Sequence, residues 1–287
     1  MKSDPPPPQN SRLGFFAQAP DVDLIAHKGG NGQWPGETTF AFTQALAAGA
    51  DVIEMDVWGT ADDPPVLVLM HSSDISKATE GSGKVSSLKF KDLENLNAAY
   101  RWSPDGGKTF PFRNSEPVLR LARLEDVFKE FKDRRMNIEI KQKSPSIVKP
   151  FLDLIERYGV PAENLLIASF YTEVLKEFRK GCEQRNLPIA TSASTWEWVR
   201  YYFGNYLFHI PYQPPAEALQ ISERLPVLRI WLLTRGFIRK AHNEGLIVHA
   251  WTVDDPVDMK RAIANGIDGI ITDFPSTLRA ILDEQAG

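Results

Sequence analysis

The stretch Val248–Asp273 (VHAWTVDDPVDMKRAIANGIDGIITD) decides the fold class of this chain of 287 residues. It contains two apolar, β-rich runs, Val248–Val253 and Gly269–Asp273, separated by the helical pattern Pro256–Ala264. Proline is tolerated in the first turn of a helix, and Gly266 stands after the pattern, where a left-handed cap favours glycine. A strand, a helix and a second strand in this order form the crossover unit of a parallel sheet.

The same alternation extends from this unit back to the start of the chain. The predicted strands are Asp23–His27, Val52–Trp58, Met136–Lys141, Leu165–Phe170, Ile189–Ser194, Ala218–Ser222, Val248–Val253 and Gly269–Asp273. The clearest helical patterns are Thr38–Ala48, Ser146–Tyr158, Thr172–Cys182, Thr195–Phe203, Thr234–Asn243 and Pro256–Ala264. Eight such units predict an α/β fold, the (β/α)8 TIM barrel.

Two regions interrupt the alternation. Val66–His71 follows the second strand after the turn TADDPP, which is too short for a helical crossover, so we predict a hairpin extension. Residues 72–117 form a glycine- and serine-containing insertion, expected over the active-site face. We therefore expect one barrel domain over residues 21–287, preceded by a proline-rich tether over residues 1–20.

Composition excludes several classes of protein. Lysine plus arginine total 33 and aspartate plus glutamate 37, a net charge of −4 that argues against non-specific nucleic-acid binding. The single cysteine, Cys182, excludes an intramolecular disulfide and a cysteine-only metal site. The N-terminus has no apolar signal region, and the longest uncharged stretch, Tyr201–Ala216, contains three prolines. We expect a soluble, cytoplasmic protein; a membrane-anchored or exported precursor stays open, and no oligomeric state is predicted.

Carboxylates occupy core-type positions on two predicted strands. Glu54 and Asp56 lie two residues apart on the second strand, so their side chains share one face. Glu139 and Lys141 share a face of the third strand. Neighbouring buried carboxylates raise one another's pKa, and a divalent cation relieves this repulsion. A three-ligand metal site, with Lys141 suited to an anionic ligand, is one interpretation; solvated surface acids and a salt bridge from Lys141 to Glu54 or Glu139 form the other.

Two histidines terminate predicted strands. His27 ends the first strand and is followed by Lys28 and two glycines, and His71 ends the hairpin arm. At the mouth of a barrel, two such side chains can face each other as a general acid and a general base. A structural role for each histidine is the alternative.

Seven segments together resemble glycerophosphodiester phosphodiesterases, in the same order and with similar spacing. They are IAHKGG, WPGETTFAF, IEMDVWGTADD, VLVLMH, NIEIK, HAWTV and GIDGIITDFPS, within a match over about residues 22–283. HKGG, KATEGSG and ALQIS resemble the lysophospholipase D-type branch of the family. The resemblance implies a phosphoric diester hydrolase that cleaves glycerophosphodiesters to glycerol 3-phosphate and an alcohol, or lysophospholipids.

The resemblance also implies a role for each matching site residue, at the C-terminal mouth of the barrel. The expected catalytic histidines are His27 and His71, the expected ligands of one divalent ion (Mg²⁺ or Ca²⁺) are Glu54, Asp56 and Glu139, the expected phosphate-binding residues are Lys28 and Lys141, and the expected substrate-binding residue is Trp251. The expected partner is a small phosphodiester or a lysophospholipid, and no nucleic acid is expected.

The sequence departs from the family's motifs beside this site. Lys28 stands where the family has arginine, which replaces a two-pronged phosphate contact with a single point of charge. Gly36 and Glu37 replace the glutamate and asparagine of the usual Pro-Glu-Asn-Thr, and Ser72 replaces the aspartate of the usual His-Asp. The alternative function is therefore a catalytically weakened barrel that binds phosphodiester or lipid headgroups without efficient turnover.

Residues 195–212 (TWEWVRYYFGNYLFHIPY) contain eight aromatic side chains. Tyrosine and tryptophan suit surfaces that are apolar at one end and wet at the other. One interpretation is an acyl-chain groove or a membrane-docking patch above the barrel mouth, with peripheral membrane contact. The other is a helix that packs on the barrel with aromatic side chains as filling.

Overall fold

A computed structural model describes residues 14–224 and 230–286 of the chain. The strands are β1 Asp23–Ala26, β2 Val52–Gly59, β3 Leu67–Leu69, β4 Arg135–Ile140, β5 Leu165–Ala168, β6 Ala190–Thr191, β7 Ala218–Ser222, β8 Ile247–Trp251 and β9 Gly269–Thr272. The α-helices are α1 Thr39–Ala47, α2 Phe90–Leu93, α3 Leu124–Phe131, α4 Val148–Tyr158, α5 Thr172–Arg185, α6 Thr195–Val199, α7 Arg235–Asn243, α8 Pro256–Ala264 and α9 Pro275–Ala286.

Eight of these strands form a parallel, nearly closed barrel. Their order around the sheet is β6-β5-β4-β2-β1-β9-β8-β7. The remaining seam, between β6 and β7, is spanned by a bridge from Ser192 to Ala218 and by a 2.8 Å hydrogen bond from Ala193 N to Ala218 O. The predicted (β/α)8 barrel is confirmed.

The interruption after β2 is a hairpin followed by a separately packed insertion. β3 pairs antiparallel with β2, with Leu69 opposite Val57, as predicted for a hairpin arm. The insertion has its own apolar cluster, which includes Ile75, Val85 and Leu93. Trp102 joins it to the loop after β1 by donating a hydrogen bond of 2.8 Å from Nε1 to the backbone oxygen of Asn31. The insertion therefore forms one side of the barrel mouth.

The amino ends of the strands are covered by a short segment that precedes β1. Phe15 and Phe16, in the 3₁₀ helix Gly14–Phe16, are buried against the first layer of barrel side chains. Arg135 fastens this segment, because its Nε donates to the Phe15 oxygen while its other nitrogens bind Asp23. Of the range 1–20 predicted as a tether, residues 1–13 lie outside the described residues.

The aromatic segment is helical only in part. The helix predicted over Thr195–Phe203 begins at Thr195, where Ser194 and Glu197 form a capping box, but α6 ends at Val199. A π-helical stretch, Arg200–Leu207, continues from it. Within residues 14–224 and 230–286, no helix combines the length and the apolar character needed to cross a bilayer.

Candidate active site

Three acidic side chains meet at the carboxyl end of two neighbouring strands. β2 and β4 pair in parallel with Asp56 opposite Glu139, and Glu54 lies two residues earlier on β2. Because alternate residues of a strand share a face, all three side chains point into the barrel mouth. One oxygen from each lies within 4.8 Å of the others. The sequence-predicted ligand set is therefore brought together as a single cluster.

The chemistry of this cluster fits a divalent cation. Among the described residues, neither oxygen of Asp56 nor Oε1 of Glu139 accepts a hydrogen bond of good geometry, although each is buried and Oδ1 of Asp56 is in an ion pair with Lys141. Burial and the charge of Asp56 raise the pKa of Glu54, and burial raises the pKa of Glu139 to about 7. Hard cations such as Mg²⁺ and Ca²⁺ bind carboxylate oxygens and remove this repulsion.

Lys141 is the positive charge already present beside the cluster. Its Nζ lies 2.7 Å from Oε2 of Glu139 and 3.1 Å from Oδ1 of Asp56. These carboxylates raise the pKa of Lys141 against the opposing effect of burial. The salt bridge considered from sequence is thus present, with Glu139 and Asp56 as its partners. One ammonium leaves the cluster negative, so it does not replace a divalent ion.

Glu37 brings a fourth carboxyl group to this region. It is buried, and both of its oxygens face the backbone N–H of Asp56, at 3.2 and 3.3 Å. Burial and the charges of Asp56 and Glu54 hold its pKa well above the ordinary value. Glu37 forms no ion pair with Lys28, whose backbone N–H instead donates to Oε2 of Glu54 at 2.7 Å.

The two histidines face each other across the mouth, with ring centroids 6.5 Å apart. His27 directly follows β1, and its Nδ1 lies 2.8 Å from Oδ1 of Asp273, the residue that follows β9. Burial would lower the pKa of His27, but Asp273 and Glu54 outweigh it and raise that pKa. Partial burial and the charge of Lys28 lower the pKa of His71 to about 4. Asp273 lay within a quoted motif, but its role was not predicted from sequence.

Two cavities open at this site. The mouth cavity, of about 330 Å³, contains the acids Glu54 and Glu139, both histidines and Lys141 on its wall. The insertion cavity, of about 350 Å³, lies between the insertion and the loop after β1. Lys28 and His71 line both cavities. All the positions that depart from the family's motifs line the insertion cavity: Lys28, Gly36, Glu37 and Ser72.

Aromatic side chains form the apolar wall of the mouth cavity. Trp251, at the end of β8, lies with its ring centroid 5.7 Å from that of Phe170, and Trp198 lines the same cavity. Other aromatics of residues 195–212 have different roles. Tyr202 is buried and packs on Phe237 of α7, whereas Phe208 is 70% exposed and lines neither cavity. The packing interpretation therefore describes Tyr202, whereas the acyl-chain groove or membrane-docking patch stays a prediction.

The profile of one protein family matches residues 27–277, a range that contains every site residue described above. The chain belongs to the glycerophosphoryl diester phosphodiesterase family. The predicted resemblance and the enzyme class, phosphoric diester hydrolase, are confirmed by this membership.

Individual members of the glycerophosphoryl diester phosphodiesterase family are similar over nearly their whole length. Human lysophospholipase D GDPD3 is 29% identical, over 91% of this chain and 85% of the relative. A glycerophosphodiester phosphodiesterase of Caldanaerobacter subterraneus subsp. tengcongensis is also 29% identical, over 89% and 95%. The glycerophosphoryl diester phosphodiesterase domain of a Mycobacterium tuberculosis protein superposes with a TM-score of 0.78, at 20% identity, over 92% of this chain and 100% of that domain.

Proposed function

We propose that this protein is a metal-dependent phosphodiesterase that hydrolyses glycerophosphodiesters or, in a lysophospholipase D manner, lysophospholipids. The observation that carries the proposal is a cluster of three carboxylates, two of which line the same cavity as the two facing histidines. The relatives support the two substrate classes, because their names are glycerophosphodiester phosphodiesterase and lysophospholipase D.

The acidic cluster would hold one divalent ion, Mg²⁺ or Ca²⁺, through Glu54, Asp56 and Glu139. When bound, such an ion supplies positive charge that polarises phosphate oxygens. Lys141 lies at the edge of the cluster and Lys28 on the wall between the cavities, so both ammonium groups can bind the remaining phosphate oxygens. Both lysines therefore hold the diester in place and compensate charge that develops on its oxygens.

The histidines divide the proton transfers. His27 is held in one orientation by Asp273, and this carboxylate stabilises the protonated ring that a general base becomes. We assign to His27 the deprotonation of the nucleophile, which is either water or a neighbouring hydroxyl of the substrate. His71 lines both cavities and is assigned the protonation of the departing alkoxide. Because burial and Lys28 lower its pKa, this role requires that the negative charge of the bound phosphodiester raise that pKa again and favour the protonated ring. An attack by a substrate hydroxyl would release a cyclic phosphate first.

The aromatic wall suits the carbon chain of the substrate. Trp251, Phe170 and Trp198 offer apolar rings beside the polar cluster, and we propose that Trp251 contacts the glycerol carbons. Trp196, at the start of α6, is 64% exposed and would contact an acyl chain or a lipid surface. Peripheral membrane contact is part of this proposal, and the cytoplasmic location stays a prediction.

The deciding experiment is a turnover screen of the purified full chain. Glycerophosphocholine, glycerophosphoethanolamine and lysophosphatidylcholine are each tested with Mg²⁺, with Ca²⁺ and with excess chelator. Turnover of at least one diester that chelator abolishes and metal restores supports the proposal. Binding of these compounds without turnover in any condition would favour the weakened, headgroup-binding barrel. Phosphorus NMR of the product distinguishes direct hydrolysis from a cyclic phosphate.

A further inference from the structure

The insertion cavity has a strongly cationic wall. It contains the side chains of Lys28, Lys77 and Arg101, and among the described residues that line it Glu37 is the only acid. The carboxylate of Glu37 is directed at the backbone N–H of Asp56, so its charge lies on the side of the metal-binding cluster. The cavity therefore presents positive charge to whatever enters it.

These cations are not consumed by ion pairs within the described part of the chain. Lys28, Lys77 and Arg101 form none there, although Lys28 acts electrostatically on Glu37 and Lys77 on Asp74. Asp74, three residues before Lys77, accepts a hydrogen bond of 2.9 Å from Ser76 N and does not line the cavity. An unpaired cation near a cavity wall favours an anionic ligand and repels a cationic one.

Arg101 is fixed in place by the backbone of the insertion. Its Nε donates to the oxygen of Thr79 at 3.1 Å, and its backbone N–H donates to the oxygen of Ala78 at 2.9 Å. A guanidinium held through Nε keeps its two terminal nitrogens available for a ligand, and this pair can bind two oxygens of a phosphate or carboxylate. The arginine is thus oriented before a ligand arrives.

The cavity is continuous with the reaction site. Lys28 and His71 line both cavities, so a phosphodiester bound between them extends one substituent into each. The volume of about 350 Å³ is near the lower end of the range of about 300–1,000 Å³ for small-molecule sites. Trp102 is the only aromatic side chain among the described residues that line it, whereas quaternary ammonium groups are typically bound by cages of several aromatics.

We propose that the insertion cavity binds the alcohol substituent of the phosphodiester and selects an anionic headgroup over a cationic one such as choline. This inference rests on the proposed function, because it assigns the second arm of the same substrate. Three cations beside the headgroup attract a terminal phosphate or carboxylate, and they oppose a trimethylammonium group. The preferred substrates are therefore glycerophosphodiesters or lysophospholipids whose headgroup carries a negative charge.

The test compares three diesters that differ in headgroup charge. They are glycerophosphoglycerol with a terminal phosphate, unmodified glycerophosphoglycerol and glycerophosphocholine. We expect kcat/KM to fall in this order, with about tenfold between the first and the last, because each exposed ion pair contributes about 1.5- to fivefold. The difference should shrink between 50 and 500 mM salt, because the screening length falls from about 14 Å to about 4 Å over that range. Titration calorimetry in chelator gives the same ranking as Kd without turnover.

Variants locate the selectivity in the cavity. Lys77→Gln combined with Arg101→Gln should lower kcat/KM for the anionic diester and raise it for glycerophosphocholine. Lys84→Gln combined with Lys108→Gln is the matched control, since it removes two cations of the same insertion that do not line the cavity. Arg101→Lys keeps the positive charge but removes the hydrogen bond from Nε to the Thr79 oxygen. If the charge of the cavity wall causes the preference for anionic headgroups, this variant should retain that preference.

The outcomes separate this inference from the proposed function. A ranking in Kd without any turnover would overturn the proposed function and leave the cavity's selectivity intact. Turnover with equal kcat/KM for all three headgroups, or an equal effect of the paired variants and their control, would overturn the inference alone. Neither turnover nor binding of any diester would overturn both.

Discussion

Nδ1 of His27 and Oδ1 of Asp273 lie 2.8 Å apart, although 246 positions separate the two residues in the chain. The contact exists because β1 and β9 are neighbours in the barrel and both residues directly follow these strands. A second pair of the same kind, His242 Nε2 and Asp268 Oδ2 at 2.7 Å, lies at the amino end of β9. The His27–Asp273 pair lies at the site and the His242–Asp268 pair lies far from it, so the second pair is a control for variants of the first.

Asp273→Asn tests whether this carboxylate positions a catalytic base. We expect kcat to fall by about 10²–10⁴-fold, the scale of a disturbed acid–base residue. Asp273 raises the pKa of His27, so its removal should move the acidic limb of the kcat/KM profile to lower pH. Asp268→Asn is the control: it should lower stability and keep kcat within about twofold. An acidic limb that does not move would contradict the role of Asp273.

The division of labour between the histidines is tested with the leaving group. A p-nitrophenyl phosphodiester releases a stable phenolate that needs no general acid. We expect His71→Ala to lose about 10²–10⁴-fold in kcat on an alkyl diester but much less on the p-nitrophenyl ester. His27→Ala should lower kcat on both substrates, because the proton that His27 removes belongs to the nucleophile, and the nucleophile is needed whatever the leaving group. The opposite pattern of rescue would exchange the two roles.

Thermal unfolding tests the metal site independently of activity. A saturating divalent ion at ten times its Kd adds about 1.4 kcal/mol of stability, a rise in Tm of a few degrees. In chelator, Glu54→Gln should raise Tm, because it removes one of the mutually repelling charges, whereas in metal it should lower Tm relative to the unaltered chain. The exposed Glu163→Gln should show neither effect. If the Tm of the unaltered chain is the same with metal and with chelator, the assignment of the three ligands is wrong.

The aromatic wall predicts a difference between substrates with and without an acyl chain. Trp198→Ala should raise KM for lysophosphatidylcholine about tenfold, as expected for about two lost methylene contacts, and should affect glycerophosphocholine much less. Trp251→Ala should raise KM for both, because it is placed beside the glycerol carbons. Phe208→Ala, an exposed aromatic outside both cavities, is the control and should leave both KM values unchanged. Equal changes for the two substrates in Trp198→Ala would indicate packing only.

A buried histidine predicts the acid sensitivity of the fold. His249 is fully buried on β8, and burial lowers its pKa to about 3. In the unfolded chain His249 is protonated as pH falls below about 6.5, whereas in the folded chain it stays neutral until about pH 3. The free energy of unfolding therefore decreases as pH decreases through this range. Between pH 7 and pH 5 the loss is about 2 kcal/mol. His249→Gln should remove this part of the pH dependence in urea titrations, and an unchanged slope would contradict it.

The sequence was sufficient to predict the barrel and the hairpin, and the common face of Glu54 and Asp56; the family resemblance assigned Glu139 beside this pair as a third ligand. These features depend on local rules: strand–helix alternation, turn length and the common face of alternate strand residues. Strand ends were less predictable. β6 is only Ala190–Thr191 within the predicted Ile189–Ser194, because Ser192 and Ala193 contact β7 through single backbone interactions and Ser194 caps α6.

Partners that are distant in the chain could not be predicted in the same way. Asp273 became recognisable only after β1 and β9 were seen to pair. Glu37 faces Asp56 because its backbone has a positive φ of 61°, which no periodic pattern indicates. Lys77 lies in the quoted segment KATEGSG and Arg101 in the predicted insertion, but no role was predicted for either, because their meeting on one wall depends on how the insertion folds against the barrel.

Phe15 and Phe16 close the barrel at the amino ends of its strands. Phe15 and Phe16 fill the side opposite the acidic cluster, so a long hydrocarbon tail has no route through the interior. A tail must instead turn away over the rim, past Phe170 and Trp196. The protein would then contact only the first carbons of an acyl chain, and the remaining carbons would stay in the micelle or bilayer. Chain length should consequently matter far less than headgroup identity in the choice of lipid.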